Sequence, residues 1–297
     1  MIDYRLHVFR RVAEIGSLTK AAQVLHLSQP AVTKHLKLLE EELQRPLFVR
    51  SRTGVTLTDA GVIFLRHVQE TEKARASVLE RLQGPAGNVT GTLRLGSSRT
   101  VTAYYLPRLL VSFYARHPSV TCEMTLGNTD FVIGLMLEQR LDAALVEGPC
   151  RRREIHAQPF YKDEIIWVAA PSDPLLKNKT VAPKLMLERP LVIREVGSGT
   201  RRVMEMALRQ RGVSLSSLRV KQEMPSTEAI KRMVAAGAGI AYVSRLSVEA
   251  ELASGALRQI PCPRLEIERD FSILTPQGPD PVGIVRAFTK HLIDNSR

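Results

Sequence analysis

Along residues 17–43, SLTKAAQVLHLSQPAVTKHLKLLEEEL, apolar positions recur with the period of two short α-helices joined by a tight turn. In the second helix, taken to start at Ser28 with Pro30 in its first turn, Val32, Leu36, Leu39 and Leu43 fall within roughly 60° and predict a buried stripe. Gln29, Pro30, Thr33, Lys34 and Lys37 fall on the far side, within roughly 140°. The Ser28 hydroxyl is placed to cap the first free N–H groups. Upstream, Leu6, Phe9, Val12 and Ala13 mark one face of a helix over residues 2–15, which Gly16 can end in the left-handed conformation. Ser17 then caps a helix whose Ala21, Ala22 and Leu25 admit a close neighbour. Downstream, two short apolar stretches around SRTG in RPLFVRSRTGVTLTDAG predict a β-hairpin, with Arg45, Arg50 and Arg52 making it a basic wing. From Thr58 to Leu82 no proline interrupts the chain and no glycine follows Gly61, which predicts a helix of about 25 residues, ~37 Å long. Its seam (Leu65, Val68, Val78, Leu79, Leu82) is interrupted by Glu72 and Arg75, so it suits pairing without being a strong coiled coil.

The segment GPAGNVTG (84–91) reads as a linker, uncharged and rich in glycine. Beyond it, short apolar runs alternate with helical patterns. Strands are expected at Thr92–Gly96, Val120–Leu126, Ala143–Glu147, Ile165–Ala170, Leu191–Arg194, Val220–Glu223, Ile240–Val243 and Phe271–Thr275. Helices are expected at 104–116, 129–139, 200–210, 226–236 and 281–294. The alternation means an α/β architecture with largely parallel sheets. Some 200 residues is generous for one sheet, so two lobes are expected, with the chain crossing near 161–170 and returning near 265–275. The resulting division is 1–58, 59–83, a hinge at 84–91, and 92–297, with one lobe from 92–162 and 268–297 and the other from 163–267.

Charge narrows the partner. The 297 residues carry a formal +12, and the pI near 10.0 points to a polyanion, nucleic acid or an anionic membrane surface. Basic soluble enzymes are common too, and the charge is spread along the chain. No run approaches the ~18 apolar residues a membrane span needs, and the N-terminus is an amphipathic helix. Cys122, Cys150 and Cys262 are too few and too scattered for a disulfide framework or a metal cluster, so reduced thiols, a cytoplasmic location and no metal are expected. The outward face of the Ser28 helix decides between the polyanions. It offers an amide that reads base edges, a hydroxyl and two cations, with its carboxylates (Glu40 to Glu42) held back to the C-terminal end. A helix entering the major groove of duplex DNA N-terminus first needs that arrangement.

These residues carry a resemblance. GSLTKAAQVLHLSQPAVTKHLKLLEEELQRPLFVR, followed by LTDAG, resembles the DNA-binding segment of LysR-type transcriptional regulators, and the likeness runs the length of the chain. Thr33, Lys34 and His35 stand where that family more often has Ser, Arg and Gln; Lys34 keeps the charge but lacks the bidentate fork. The resemblance implies an all-α winged helix-turn-helix, a dimerising linker helix and a two-lobed α/β effector domain like periplasmic binding proteins. It implies homodimers or homotetramers on interrupted palindromes, contact with RNA polymerase, and gating by a small molecule without a cofactor. Ligand-driven lobe closure would alter how the dimers splay and bend the DNA. ALVEGPC (144–150), REVGSGTRR (194–202) and STEAIKRMVAAGAGIAYVS (226–244) resemble the subgroup controlling sulfur assimilation and carbon fixation, whose effectors are small anions.

The candidate DNA residues are therefore Ser28, Gln29, Pro30, Thr33, Lys34, Lys37, Arg50 and Arg52, against the plain alternative of a solvated charged face. For the effector, the strand Leu191–Arg194 runs through Glu195 into Gly197-Ser198-Gly199-Thr200-Arg201 and a helix start, a donor-rich place for a carboxylate, sulfur oxyanion or phosphorylated metabolite. Ser97, Ser98, Thr100 and Thr102 form a second such start, and Asn128 and Thr129 contribute by family analogy. The plain alternative is a set of capped turns with nothing bound. Catalysis finds no footing: GSGT is not a nucleophile elbow, and neither GxGxxG nor a P-loop occurs. The rival of another class is an α/β small-molecule binding or catalytic protein whose N-terminal helices only oligomerise.

Overall fold

A computed structural model describes residues 4–51, 54–83, 89–214, 216, 218–265, 267–278 and 281–296, and the chain divides into two compact units, 1–87 and 88–297. The first unit holds α1 (Tyr4–Ile15), α2 (Leu18–Leu25), α3 (Gln29–Leu43), a hairpin of β1 (Phe48–Ser51) and β2 (Gly54–Leu57), and α4 (Asp59–Gln83). Each of α2, α3 and α4 begins where a hydroxyl caps it. Ser17 accepts from the Lys20 N–H at 3.4 Å, Ser28 from Ala31 at 3.3 Å and Thr58 from Gly61 at 2.9 Å. Gly16 ends α1 at φ +68, and its carbonyl accepts from Val55 N–H, which ties the hairpin to the α1–α2 corner. Val8, Phe9, Val12, Ala21, Ala22, Val32, Leu36 and Leu39 close the core together with Leu47, Val55 and Val68.

Two features of this unit differ from the sequence reading. Leu43, expected in the buried stripe, is 39% exposed, because the last turn of α3 overruns the three-helix core. On α1, Val8 is fully buried while Leu6 and Ala13 are half-buried, so the buried arc is turned toward Val8. Glu72, which interrupts the α4 seam, pairs with Arg10 of α1.

The second unit runs β3 (Gly91–Ser98), α5 (Arg99–Tyr104), α6 (Leu106–Arg116), β4 (Val120–Gly127), α7 (Thr129–Leu137), β5 (Ala143–Glu147) and β6 (Ile155–Ala169). It continues through α8 (Pro183–Leu187), β7 (Leu191–Arg194), α9 (Gly199–Arg209), β8 (Val220–Met224), α10 (Thr227–Ala235) and β9 (Ile240–Ser244). It closes with α11 (Glu249–Ser254), β10 (Arg258–Gln259), β11 (Ile267–Pro276) and α12 (Gly283–Asp294). One sheet runs β4-β3-β5-β11-β6-β9-β7-β8, with β10 on β6. Its outer parts, β4-β3-β5 and β9-β7-β8, are parallel, and each carries its own apolar clusters. They are two lobes joined through the centre, where the pairings β5-β11, β11-β6 and β6-β9 are antiparallel. The expectation of a largely parallel sheet therefore fails at the crossing. There the chain passes outward along the 15-residue β6 and returns along the 10-residue β11, ten residue pairs in register around one bulge beside Pro159. The helix expected over 104–116 begins at 99 and breaks at Tyr105.

Candidate functional site

In the first unit, α3 presents the expected side to solvent. Gln29, Pro30, Lys34 and Lys37 are exposed and Thr33 is half-buried. Gln29 Oε1 accepts from the Thr19 hydroxyl at 3.3 Å, which orients the amide across the turn between α2 and α3. Lys37 lies 3.5 Å from Glu41 one turn on, a solvent-exposed pair of little strength that leaves the cation available. Glu40 does not belong to that surface: its Oε1 accepts from the backbone N–H groups of Leu47 (2.7 Å) and Phe48 (3.2 Å) and so anchors the entry to the wing. Arg52 and the Arg50 side chain lie outside the described residues.

In the second unit, the strand ends of the two lobes face one another. Ser97, Ser98, Thr100, Thr129, Ser198 and Thr200 are all at most 4% exposed. Some of their hydroxyls are committed. Ser97 donates to the Ser98 carbonyl, Ser98 caps α5, and Thr100 donates to Glu147 Oε1 at 3.2 Å. Thr200 accepts from Arg269 Nη1 at 2.9 Å. Others have no partner among the described residues: Ser198 Oγ, Thr129 Oγ1 and Thr102 Oγ1 are shielded from solvent and unbonded, as is Glu147 Oε2. Ser198 occupies the N-cap of α9 without capping it, so the first N–H groups of that helix have no intrahelical partner and gain none from their cap residue. Gly199 lets this helix start approach the other lobe. A Cβ there would sit 2.7 Å from both Glu147 Cγ and Thr129 Oγ1, and closer still to the Glu147 carbonyl.

The lobes are bridged around this site. Asn128 caps α7 through Oδ1 and donates from Nδ2 to the Val196 carbonyl (3.2 Å), and the Asp130 N–H donates to Gly197 O (3.1 Å). Arg202 pairs with Asp130, and the Tyr104 hydroxyl donates to Glu228. Burial and that carboxylate together raise the Tyr104 pKa, so the phenol stays a donor. Glu228 moves the other way: burial opposes the shift, but hydrogen bonds from Lys231 and Tyr104 hold its carboxyl below the usual range. A 240 Å³ hollow bounded by Arg99, Thr102, Tyr104, Leu126 and Thr227 opens beside this bridge. At the crossing strands, Asp163 accepts from Arg269 Nε (2.8 Å) and from the Ser244 hydroxyl (2.7 Å). Burial still pushes the Asp163 carboxyl up, against the pull of Arg269.

Two expected effector residues are occupied elsewhere. Arg201 contacts Glu205 (2.8 Å), Glu223 (2.7 Å) and the Arg194 carbonyl, because its place on α9 turns it toward β7 and β8. Glu195 is held at 2.8 Å by its neighbour Arg194. Both brace the loop before α9. Conversely, Glu147, Asp163 and Arg269 were missed. The available signal was a carboxylate closing the wholly apolar run Ala143–Val146. Among the described residues, no cluster of His, Cys, Asp and Glu could hold a metal ion, and no helix is long and apolar enough to cross a membrane.

Comparison with known proteins places both units. Residues 4–62 match the model for the bacterial regulatory helix-turn-helix protein of the lysR family, and residues 86–297 match the LysR substrate binding domain. The RuBisCO operon transcriptional regulator of Allochromatium vinosum is 34% identical over 84% of this chain and 81% of its own. Among solved structures, a full-length OxyR variant from Pseudomonas aeruginosa superposes with a TM-score of 0.77 at 20% identity, covering 99% of this chain and 96% of that one. The regulatory domain of Synechocystis CcmR in complex with 2-PG gives 0.64 at 25% identity over 70% of this chain and 98% of its own.

Proposed function

Because the chain belongs to the LysR family of transcriptional regulators, a DNA-binding regulator with an effector-binding domain, we propose that the cleft between its two lobes senses a small anionic metabolite and passes its occupancy to α3 on the duplex. The observation that carries this reading is the set of buried hydroxyls without partners among the described residues: Ser198 at the α9 start, Thr129 at the α7 start and Thr102 on α5. Buried donors left unbonded cost roughly 1–3 kcal/mol each, a cost an anion's oxygens remove. The likeness to a regulatory domain bound to 2-PG, and to RuBisCO operon regulators, favours a carboxylate or phosphorylated metabolite of carbon fixation over a sulfur oxyanion. No catalytic step, cofactor or metal enters this reading. The regulator works in the cytoplasm as a homodimer or homotetramer on an interrupted palindrome, with RNA polymerase as its further partner. Its lobes divide at 92–162 with 268–297 and at 163–267. DNA contact falls to Gln29, Pro30, Thr33 and Lys34 at the groove, and to Lys37, Arg50 and Arg52 on the backbone.

The test is fluorescence anisotropy on its own promoter fragment, with and without a panel of small carboxylates, phosphorylated sugars and sulfur oxyanions. One class should shift the binding mode, and Ser198→Ala should lose that shift while keeping DNA affinity. If no member of the panel alters binding or thermal stability, the sensing role is wrong. Deleting residues 1–87 separates the rival reading, since a protein whose helices only oligomerise would never have bound the duplex in the first place.

A further inference from the structure

The cleft is not simply a cage of donors. Glu147 closes β5 at 2% exposure, and only one of its two carboxylate oxygens is used: Oε1 accepts from Thr100, while Oε2 is shielded and unbonded. Among the described residues, no cation pairs with it. Arg269, the buried guanidinium nearby, is engaged with Asp163 at 2.8 Å and with Thr200. Glu147 also lies beside the α9 start, where a Cβ on Gly199 would stand 2.7 Å from its Cγ and equally close to the unbonded Thr129 hydroxyl. The α9 start is thus packed directly on Glu147 and Thr129, so a ligand that reaches Ser198, Thr129 and the first N–H groups of α9 borders an acceptor as well as donors. A fully deprotonated anion would leave that oxygen unbonded and meet a like charge. An anion that carries a hydrogen of its own satisfies both sides at once.

We infer that Glu147 is a specificity-determining acceptor, and that the effector is an anion bearing its own O–H or N–H donor: a hydroxy acid, an amino acid or a protonated phosphate, and not a bare oxyanion. The inference rests on the effector reading above. Donor-bearing anions give their hydrogen to Glu147 Oε2 while their charged oxygens take the Ser198 and Thr129 hydroxyls. Thr100 fixes the carboxylate from behind and so sets which oxygen is presented. Sites built around a polar partner reject analogues that lack it far more strongly than apolar pockets reject a missing methylene.

The experiment is titration calorimetry on the full chain with matched pairs, hydrogen phosphate against sulfate and glycolate against acetate. In the wild type each donor-bearing member binds at least tenfold more tightly than its counterpart. Glu147→Gln, whose amide can donate as well as accept, brings sulfate to within threefold of phosphate. Equal binding within both pairs, still lost in Ser198→Ala, overturns the inference and leaves the effector site standing. A preference that survives Glu147→Gln unchanged also overturns it, because another group then reads the hydrogen. No binding by any of the four anions overturns the effector site itself and this inference with it. The wild-type pairs decide the matter even if the variant fails to fold.

Discussion

Replacing Arg269 with methionine removes a guanidinium that is 5% exposed and touches Asp163, at 2% exposure, through two nitrogens at 2.8 Å. Methionine fills much of the same length of side chain, so the packing loss is small and the electrostatic loss dominates. Asp163 is left with the Ser244 hydroxyl, at 2.7 Å, as its remaining side-chain partner among the described residues. Breaking one side of a buried ion pair costs about 3–5 kcal/mol, because the partner is stranded as an uncompensated charge. For a unit of this size about 1 kcal/mol moves the melting temperature by roughly 2–4 °C, so Arg269→Met should lower it by roughly 6–20 °C. Adding Asp163→Asn removes the stranded charge but keeps an acceptor for Ser244, and more than half of the loss should return. The assay is thermal unfolding of the full chain, followed by circular dichroism, for both single variants and the double. A loss below about 1 kcal/mol, or a double variant no better than Arg269→Met, would refute the reasoning that these groups balance one another.

Further expectations follow from other parts of the molecule. Lys37→Ala, which removes an ammonium from the backbone side, should reduce the slope of log affinity against log salt by about 0.9, whereas Gln29→Ala should leave the slope alone and relax base preference; a salt series on matched and mismatched promoter fragments separates the two. Thr100→Val should weaken any donor-bearing anion about tenfold or more by freeing the Glu147 carboxylate to turn, while promoter affinity without ligand stays unchanged, both read by calorimetry and anisotropy. His291 is buried against Ser112 at 2.8 Å, and burial together with nearby Arg116 holds its pKa below the ordinary 6.5. Stability from this neutral ring is complete above pH ~6.5 and is lost as pH falls from there through the lowered folded value. Melting temperature should drop across that window in the wild type, and His291→Gln should flatten the slope; an identical slope in the variant would exclude the ring as its source.

The helices of the first unit were legible because they are set locally. A period of 3.6, a capping hydroxyl and a left-handed glycine are all written within a few residues of one another, and Ser17, Ser28 and Gly16 each do what their neighbours predict. In the second unit β5, β7 and β9 were legible because strands buried on both faces read as short, mostly apolar runs. The first ten residues of β6, IHAQPFYKDE, are polar and contain proline; they form a strand because β11 returns to pair with them, a partner more than 100 residues away. Distance also misled the site reading. Arg201 reads as a free donor until folding brings Glu223 to it from the next strand, and Glu147 reads as the mere end of a strand until Gly199 is set against it.

The contacts fall into two groups that bear differently on sensing. The bridges Tyr104–Glu228, Arg202–Asp130 and Asn128–Val196 are made by the protein's own groups, so a ligand has nothing to satisfy there. A ligand shifts the balance between open and closed only by the difference in its affinity for the two. On the reading proposed above, that difference comes from groups the lobes leave unsatisfied: the hydroxyls of Ser198, Thr129 and Thr102, and Glu147 Oε2. At roughly 1–3 kcal/mol each, four such groups supply about 4–12 kcal/mol. Driving a population from 1:99 to 99:1 takes about 5.5 kcal/mol, so half of the set is enough only if each group is near its upper value. A ligand that satisfied the three hydroxyls but not Glu147 would bring about 3–9 kcal/mol and lose part of it again to the facing carboxylate. On the proposal above, a molecule that answers both the donors and the acceptor has the larger free energy to drive the switch, about 4–12 kcal/mol, and a bare oxyanion of the same size has the smaller.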